Sequence, residues 1–400
     1  MITLEKAINL ILENTPRLGT HKLPIIAAVG FVIATDIISP IDIPPFTNAT
    51  MDGYALSYES VKGLPMTIPV IGEIPAGKSF DIEVPSGYAV KIMTGAPLPK
   101  GTDTVVELEN VEILDVGKVI IKKIDERGTN VRYLGEDFKK NSLVIFSGTK
   151  LKEAQIGILA SLGISEVEVY RLPKVSIIST GEELVEINED LPFGKIRNSN
   201  SYSLAAAVLL AGGIPSILGI AHDNQDDIES KIKEALDSDI IITTGGVSVG
   251  DYDIVNKTLE KMGFEQIFNK VSIKPCKNVL FGLINKKLFF GLPGNPGASL
   301  VGFEQFIRPV IRKMSGHHKL FRPEVEVTLD FDIDYNDDRL HLVGVKADMD
   351  KTGTYHVSLL KKQGVYNLLS MLTNAFLYVD KPIRKGEKTK IQLIDLPEDH

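Results

Sequence analysis

From Pro173 onward, short apolar runs alternate with stretches in which apolar side chains recur every three or four residues. Val175-Ser176-Ile177-Ile178, residues 215–220 and residues 239–242 read as buried strands: short, rich in β-branched side chains and bounded by polar turns. Residues 203–211, ended by Gly212-Gly213, read as a helix, as do residues 254–262, ended by Gly263. Residues 226–236 place Ile228, Ile232, Ala235 and Leu236 on one helical face. A longer helix is expected from Pro296 towards Met314. Strand and helix in this alternation predict a parallel sheet covered by helices, a doubly wound α/β domain.

The flanks follow other periods. Residues 3–14 keep Leu4, Ala7, Ile8 and Ile11 at helical spacing. The next hundred or so residues carry Pro, Gly, Val and Ile in short runs, such as Ile68-Pro69-Val70-Ile71-Gly72, which predicts a β-rich module. Residues 151–163 look helical again, with Ala154, Ile158 and Leu162 a turn apart and Gly163 as a stop. Beyond Ser315-Gly316 the helical period fades, and residues 324–329 and 375–379 read as strands of a small β-domain. No solenoid repeat or low-complexity tract is visible.

Composition narrows the class. A chain of 400 residues exceeds one ordinary core. Its 44% hydrophobic and 24% charged residues are the balance of a soluble globular protein, and no apolar run is long enough to span a bilayer. The start, Met1 to Ala7, has no basic region before an apolar stretch, so no secretory signal is expected. The single cysteine, Cys276, permits no intrachain disulfide, and a cytoplasmic location is expected. No Cys/His cluster suggests zinc. A net charge of −8 without a long basic stripe argues against nucleic-acid binding. An anionic small ligand remains compatible, provided lysines gather locally or a divalent cation bridges acid to phosphate.

The candidate chemistry lies after the strands. Ser179-Thr180-Gly181-Glu182-Glu183, Ala221-His222-Asp223-Asn224, the run from Thr243 through Gly245-Gly246-Val247-Ser248-Val249-Gly250 to Asp253, and Leu292-Pro293-Gly294-Asn295-Pro296 each follow a strand. Parallel neighbours would bring all these loops to one sheet edge, where open α/β sheets bind ligands. Glycines let backbone N–H groups approach an anion, although tight strand-to-helix turns need glycine in any case. Glu183, Asp223 and Asp253 each have a local explanation as first-turn acid, turn residue or helix cap; gathered together they call for a cation. Asn295-Pro296 reads as a cap followed by proline at the first helical position. Lys274 and Lys277 flank Pro275-Cys276 and are either surface lysines or point charges for an oxyanion. Asp52-Gly53 is either a hairpin turn or part of a site.

Together these segments resemble the MoeA family of molybdopterin molybdenumtransferases, which includes the E domain of gephyrin. The matching stretches, in order, are Met51-Asp52-Gly53-Tyr54-Ala55, Lys91-Ile92-Met93-Thr94-Gly95-Ala96-Pro97, Gly135-Glu136-Asp137, Ser179 to Leu184, Arg197-Asn198-Ser199-Asn200, Thr244 to Asp253 and Leu292 to Pro296. The resemblance implies an elongated N-terminal domain made of residues 1–21 and 133–170. It also implies an inserted β-rich domain at 22–132, the doubly wound domain at 171–318 and a C-terminal β-barrel at 319–400. It implies a homodimer whose cleft sets the doubly wound domain of one subunit against the inserted domain of the other, so that Asp52 and Thr94 act across the dimer. Transient contact with other molybdenum cofactor biosynthesis proteins is expected, with no nucleic acid and no membrane.

The implied reaction inserts molybdate, or tungstate, into the dithiolene of adenylylated molybdopterin and releases AMP with Mg2+ present. By resemblance, Asp52, Glu183, Asp223 and Asp253 are catalytic, and the last three hold Mg2+. Thr94, Asp137, Ser179, Thr180, Gly181, Gly245, Gly246, Ser248, Pro293, Asn295 and Pro296 bind the substrate. Lys274, Lys277 and Ser299 receive the oxyanion. The chain departs from the family pattern at Glu182 (usually Asp), Cys276 (usually Gly), Asn278 (usually Pro) and Asn48-Ala49-Thr50 (usually Asn-Ser-Ala). In the last domain only Gln363-Gly364, Leu369-Ser370-Met371 and Asn374-Ala375 keep the pattern. Two rival readings are the related adenylyltransferase, which resembles residues 173–315 and lacks the insertion, and a gephyrin-like scaffold without chemistry. The intact acid set favours the active transferase.

Overall fold

A computed structural model describes the chain except residues 80, 82, 116, 247–251, 336, 360–371 and 396–400, and describes Tyr252 and Asp253 by backbone alone. Ser248 and the 363–371 part of the C-terminal pattern therefore lie outside the described residues. Contacts divide the chain into two compact units. The smaller is Thr35–Ser147 with Glu153–Ser165; the larger is Met1–Ala34, Gly148–Lys152 and Glu166–His400.

The smaller unit is β-rich, as expected. Its six-stranded sheet runs in the order Thr104–Glu107, Gly53–Leu56, Ala89–Ile92, Met66–Ile74, Lys118–Ile121 and Val111–Asp115. Alternate residues of Gly53–Leu56 feed two cores. Ala55 packs with Ile74, Val90 and Val105, and Tyr54 and Leu56 pack with Ile68, Ala89 and Val106. The expected helix near 151–163 is Glu153–Ser161, and Gly163 beyond it has φ of 72°.

The larger unit holds the expected α/β alternation: β1 (Lys174–Thr180), α1 (Ser199–Ala211), β2 (Ile214–Ala221), α2 (Gln225–Ala235), β3 (Ile240–Thr244), α3 (Tyr252–Lys261), β4 (Glu265–Lys270), β5 (Asn278–Ile284), β6 (Lys287–Leu292) and α4 (Pro296–Gly302). The sheet order is β2-β1-β3-β6-β5-β4. The first four strands in that order are parallel, and β5 and β4 run antiparallel at one edge. The period-2 alternation explains why both faces are apolar. Val175, Ile177, Ile240, Ile242 and Phe290 share a core with Leu204 and Val208 of α1. Ile178, Ile241 and Phe289 face Ile228 and Ile232 of α2 and Leu259 of α3.

The long helix expected after Pro296 is interrupted. α4 passes through a π-helical turn, Phe303–Ile307, into α5 (Arg308–Met314). Pro309 accounts for the widened turn, because it has no N–H to give and its ring crowds the carbonyl four residues back. The C-terminal strands form a second six-stranded sheet centred on Leu340–Met349. Ile273–Lys274, from the connection between β4 and β5, joins it as a parallel edge strand. In the same sheet Asn374 exchanges two 2.8 Å hydrogen bonds with the backbone of Ala347 and is buried, so this part of the family pattern is structural. The N-terminal helix, Leu4–Glu13, is capped by Thr3 and sends Ala7 and Ile11 into the α/β core. Among the described residues no helix is long and apolar enough to cross a membrane.

Candidate functional site

Because β2, β1, β3 and β6 are parallel neighbours, the loops after Ala221, Thr180, Thr244 and Leu292 leave the sheet at its one carboxyl edge. The loops after β1 and β3 fit together through glycine. Gly245 and Gly246 have φ of 90° and 62°, in the left-handed region that side chains resist. A Cβ on Gly245 would lie 2.2 Å from the Thr180 carbonyl oxygen, and one on Gly246 would lie 2.6 Å from Thr180 Oγ1. Thr180 is buried, and its hydroxyl has no hydrogen-bond partner. Beside it, the Ser179 hydroxyl donates to Asn198 Oδ1 at 2.7 Å and lies 2.8 Å from Ser201 Oγ, which locks the end of β1 to the cap of α1.

Asn200, absent from the expected site, ties two loops together. Its Nδ2 donates to Thr244 Oγ1 at 2.9 Å and to the Gly294 carbonyl at 2.8 Å, while its buried Oδ1 has no partner. Thr244 in turn donates to the Pro293 carbonyl at 3.2 Å. Asn295 caps α4 by accepting the Ala298 N–H at 3.1 Å, with Pro296 at the first turn. Ser299, expected to receive an oxyanion, is 1% exposed and sits 3.5 Å from Thr244 Oγ1, so it stands behind the loop.

The loops after β1 and β2 meet at Glu182. Glu182 Oε1 accepts the Asp223 N–H at 3.1 Å and lies 3.8 Å from His222 Nδ1. The Glu183 carboxylate folds back over Gly181, where a Cβ would meet Glu183 Oε2 at 2.5 Å. Glu182 thus spends its charge in fastening one loop to the other. Asp253 stands in the first turn of α3, with its side chain outside the described residues. Among the described residues no three His, Cys, Asp or Glu side chains are grouped to hold a metal ion.

Lys274 and Lys277 flank a buried Cys276 with φ of 73°. That left-handed backbone explains why glycine suits the position. Cys276 is accommodated against α4, where a Cβ on Gly302 would lie 2.7 Å from its Sγ. Burial pushes the thiol pKa well above its ordinary value. Lys277 is exposed, and Lys274 Nζ lies 3.8 Å from Asp337 Oδ2.

In the smaller unit Asp52 is not a hairpin corner. It precedes the strand Gly53–Leu56, and its Oδ1 accepts both the Thr94 N–H at 2.7 Å and the Thr94 hydroxyl at 2.8 Å. These bonds, the backbone one first, lower the Asp52 pKa. Gly53 is required by space, since a Cβ there would lie 2.1 Å from the Val106 carbonyl oxygen. Asp137 pairs with Arg132, whose hydrogen bond holds its carboxyl below the usual range.

Comparison with known proteins fits this geometry. Residues 2–163 match the MoeA N-terminal region (domain I and II), and residues 176–313 match a probable molybdopterin binding domain. The molybdopterin molybdenumtransferase of Haemophilus influenzae is 39% identical over 325 residues, covering 81% of this chain and 80% of that protein. The enzyme of the same name from a Nostoc species is 35% identical over 378 residues, covering 90% and 86%. A crystal structure of a molybdopterin biosynthesis MoeA protein from Pyrococcus horikoshii superposes with a TM-score of 0.82 at 31% identity, covering 98% of this chain and 100% of that one.

Proposed function

The chain belongs to the molybdopterin molybdenumtransferase family, and we propose that it inserts molybdate into the dithiolene of adenylylated molybdopterin with release of AMP in molybdenum cofactor biosynthesis. The observation that carries this reading is the joining of four strand-end loops at one sheet edge. Gly245 and Gly246 close on Thr180, and Asn200 links Thr244 to Gly294. Such an edge positions reactants and stabilises charge rather than supplying covalent chemistry. The adenylyltransferase reading leaves the match of residues 2–163 unexplained. The scaffold reading leaves the retained acids without a purpose.

Within this reading, Ser179, Thr180, Gly181, Pro293, Asn295 and Pro296 shape the substrate cleft together with Gly245, Gly246 and Ser248. Lys274 and Lys277 receive the oxyanion, with Ser299 behind Thr244. Glu183, Asp223 and Asp253 would hold Mg2+. Acids on adjoining loops suit an ion that takes one or two protein carboxylates and completes its octahedron with water and phosphate. Bound there, the ion would offset phosphate charge. The protein would work in the cytoplasm as a homodimer of four-domain subunits, with Asp52, Thr94 and Asp137 serving the partner subunit's cleft. The exposed apolar side chains of Leu209 and Leu210 on α1 and of Ile214 and Ile217 on the edge strand β2 support association with a second copy.

A single-turnover assay tests the reading. Protein, adenylylated molybdopterin, Mg2+ and molybdate are mixed, and AMP and metal-bound pterin are followed together. Molybdate-dependent AMP release matched by cofactor formation is expected. Tight pterin binding without AMP release would favour a scaffold, and tungstate competition would define the oxyanion.

A further inference from the structure

Lys274 reaches the oxyanion loop from one fold and is steadied by another. Its two-residue strand pairs with the C-terminal sheet, Ile273 opposite Leu340 and Lys274 opposite His341. The Leu340 N–H donates to the Ser272 carbonyl at 3.2 Å. This pairing brings the ammonium to 3.8 Å from Asp337 Oδ2.

Asp337 is itself held firmly. Arg339 donates from Nη2 to Oδ2 at 2.7 Å and from Nε to Oδ1 at 3.2 Å, and its backbone N–H reaches Oδ1 at 3.2 Å. His341 Nε2 lies 2.9 Å from the same oxygen. The His341 ring is 1% exposed and stacks on Tyr335, with centroids 3.9 Å apart and planes at 18°. Arg339 first, then His341, keeps the Asp337 pKa well below the usual range, so the carboxylate is charged at any working pH. A gap of 3.8 Å is too long for a hydrogen bond. The carboxylate therefore attracts the ammonium without consuming its three N–H donors, which remain for a ligand.

We propose that Asp337 is a positioning residue for the oxyanion: braced by Arg339 and His341, it fixes the ammonium of Lys274 where molybdate is received. The C-terminal domain thereby contributes to the oxyanion site through a residue outside the family pattern described above. The proposal rests on the reading that Lys274 receives the oxyanion.

The test is a double-mutant cycle on the full chain, in which KM for molybdate and kcat are measured for wild type, Asp337→Asn, Lys274→Met and the double variant. Lys274→Met is expected to raise KM for molybdate. Asp337→Asn is expected to raise it about threefold to fivefold, since a half-exposed ion pair is worth at most about fivefold in an equilibrium constant. Turnover at saturating molybdate should stay within about twofold. In the Lys274→Met background Asp337→Asn should add nothing. An equal rise in both backgrounds, or no rise in either, overturns the proposal, because a merely structural role acts without Lys274. An unchanged KM in Lys274→Met removes the oxyanion reading itself, which is a separate outcome. Thermal midpoints report folding. If the amide variant does not fold, Asp337→Glu keeps the charge one methylene further out and should give a smaller rise, again only when Lys274 is present.

Discussion

Replacing Gly245 by alanine tests whether the two loops are held together as described. The backbone there has φ of 90°, and the added Cβ would lie 2.2 Å from the Thr180 carbonyl oxygen. Left-handed backbone costs an L-residue about 1–2 kcal/mol, and forcing a methyl into packed surroundings costs a further ~1–3 kcal/mol. Their sum, roughly 2–5 kcal/mol, must appear somewhere. If the loop stays in place, the urea midpoint and the thermal midpoint fall. If the loop retreats from Thr180, stability recovers and affinity for adenylylated molybdopterin falls instead. Gly294→Ala is the internal control at the same sheet edge, because its Cβ would meet nothing nearer than Gly245 Cα at 3.4 Å, an ordinary contact. Circular dichroism under urea and equilibrium binding of the adenylylated pterin read the two quantities. The reasoning is refuted if Gly245→Ala leaves both within ~0.5 kcal/mol of wild type, the range of an unremarkable substitution. It is equally refuted if Gly294→Ala costs as much.

Other consequences can be checked directly. Thr94→Val should raise the Asp52 carboxyl pKa towards its ordinary value in a carboxyl NMR titration. Because the folded pKa is depressed, the stabilisation is present above the unfolded carboxylate value, about 3.9, and is lost as pH falls through the lower folded one, so the variant should match wild type near neutrality in charge state. Glu304→Gln should destabilise the chain by about 3 kcal/mol in urea titration, since Glu304 Oε1 serves Arg322 Nε at 2.8 Å and Arg308 Nε at 3.4 Å. Burial already lowers the Arg308 pKa to about 10, so that cation tolerates the loss of its counter-charge poorly. Cys276 should resist iodoacetamide at pH 8 in the folded protein and react once urea exposes it; rapid labelling of the native chain would contradict its burial.

The carboxyl edge of the sheet was legible because each parallel strand is a short apolar run that stops at a polar loop. The hairpin between β5 and β6 was not, although its strands are as apolar. Its turn is Asn285-Lys286, both with positive φ, of 49° and 65°. A two-residue turn of that kind usually announces itself with glycine at the second position, and lysine there hides it. Asn200 was visible within a matching stretch but carried no role, because its partners, Thr244 and Gly294, are distant in sequence and meet only in the fold. For Ser299 the sequence showed a hydroxyl in a first helical turn, which suggests an anion receiver, and only the packing of α4 shows that it is buried beside Thr244.

The loop that carries Lys274 and Lys277 shows why a candidate site need not respect domain boundaries drawn along a chain. A boundary at residue 318 places Lys274 with the α/β sheet, yet its backbone pairs with the strand that follows Asp337. Three residues later the loop is fastened on the other side. Val271 donates to the Lys277 carbonyl at 2.9 Å, and Cys276 packs against Gly302. Gly302 also faces Leu292, the last residue of β6, since its Cβ would lie 2.8 Å from the Leu292 side chain. The loop that carries the lysines is thus held between the C-terminal sheet and the end of α4, the helix whose other end Asn295 caps just after the Gly294 carbonyl that Asn200 secures. A cysteine in left-handed backbone is strained where glycine would not be, but its thiol fills the space between Gly302 and the loop. The departure at Cys276 therefore exchanges backbone ease for packing and leaves the two ammonium groups where the loop presents them.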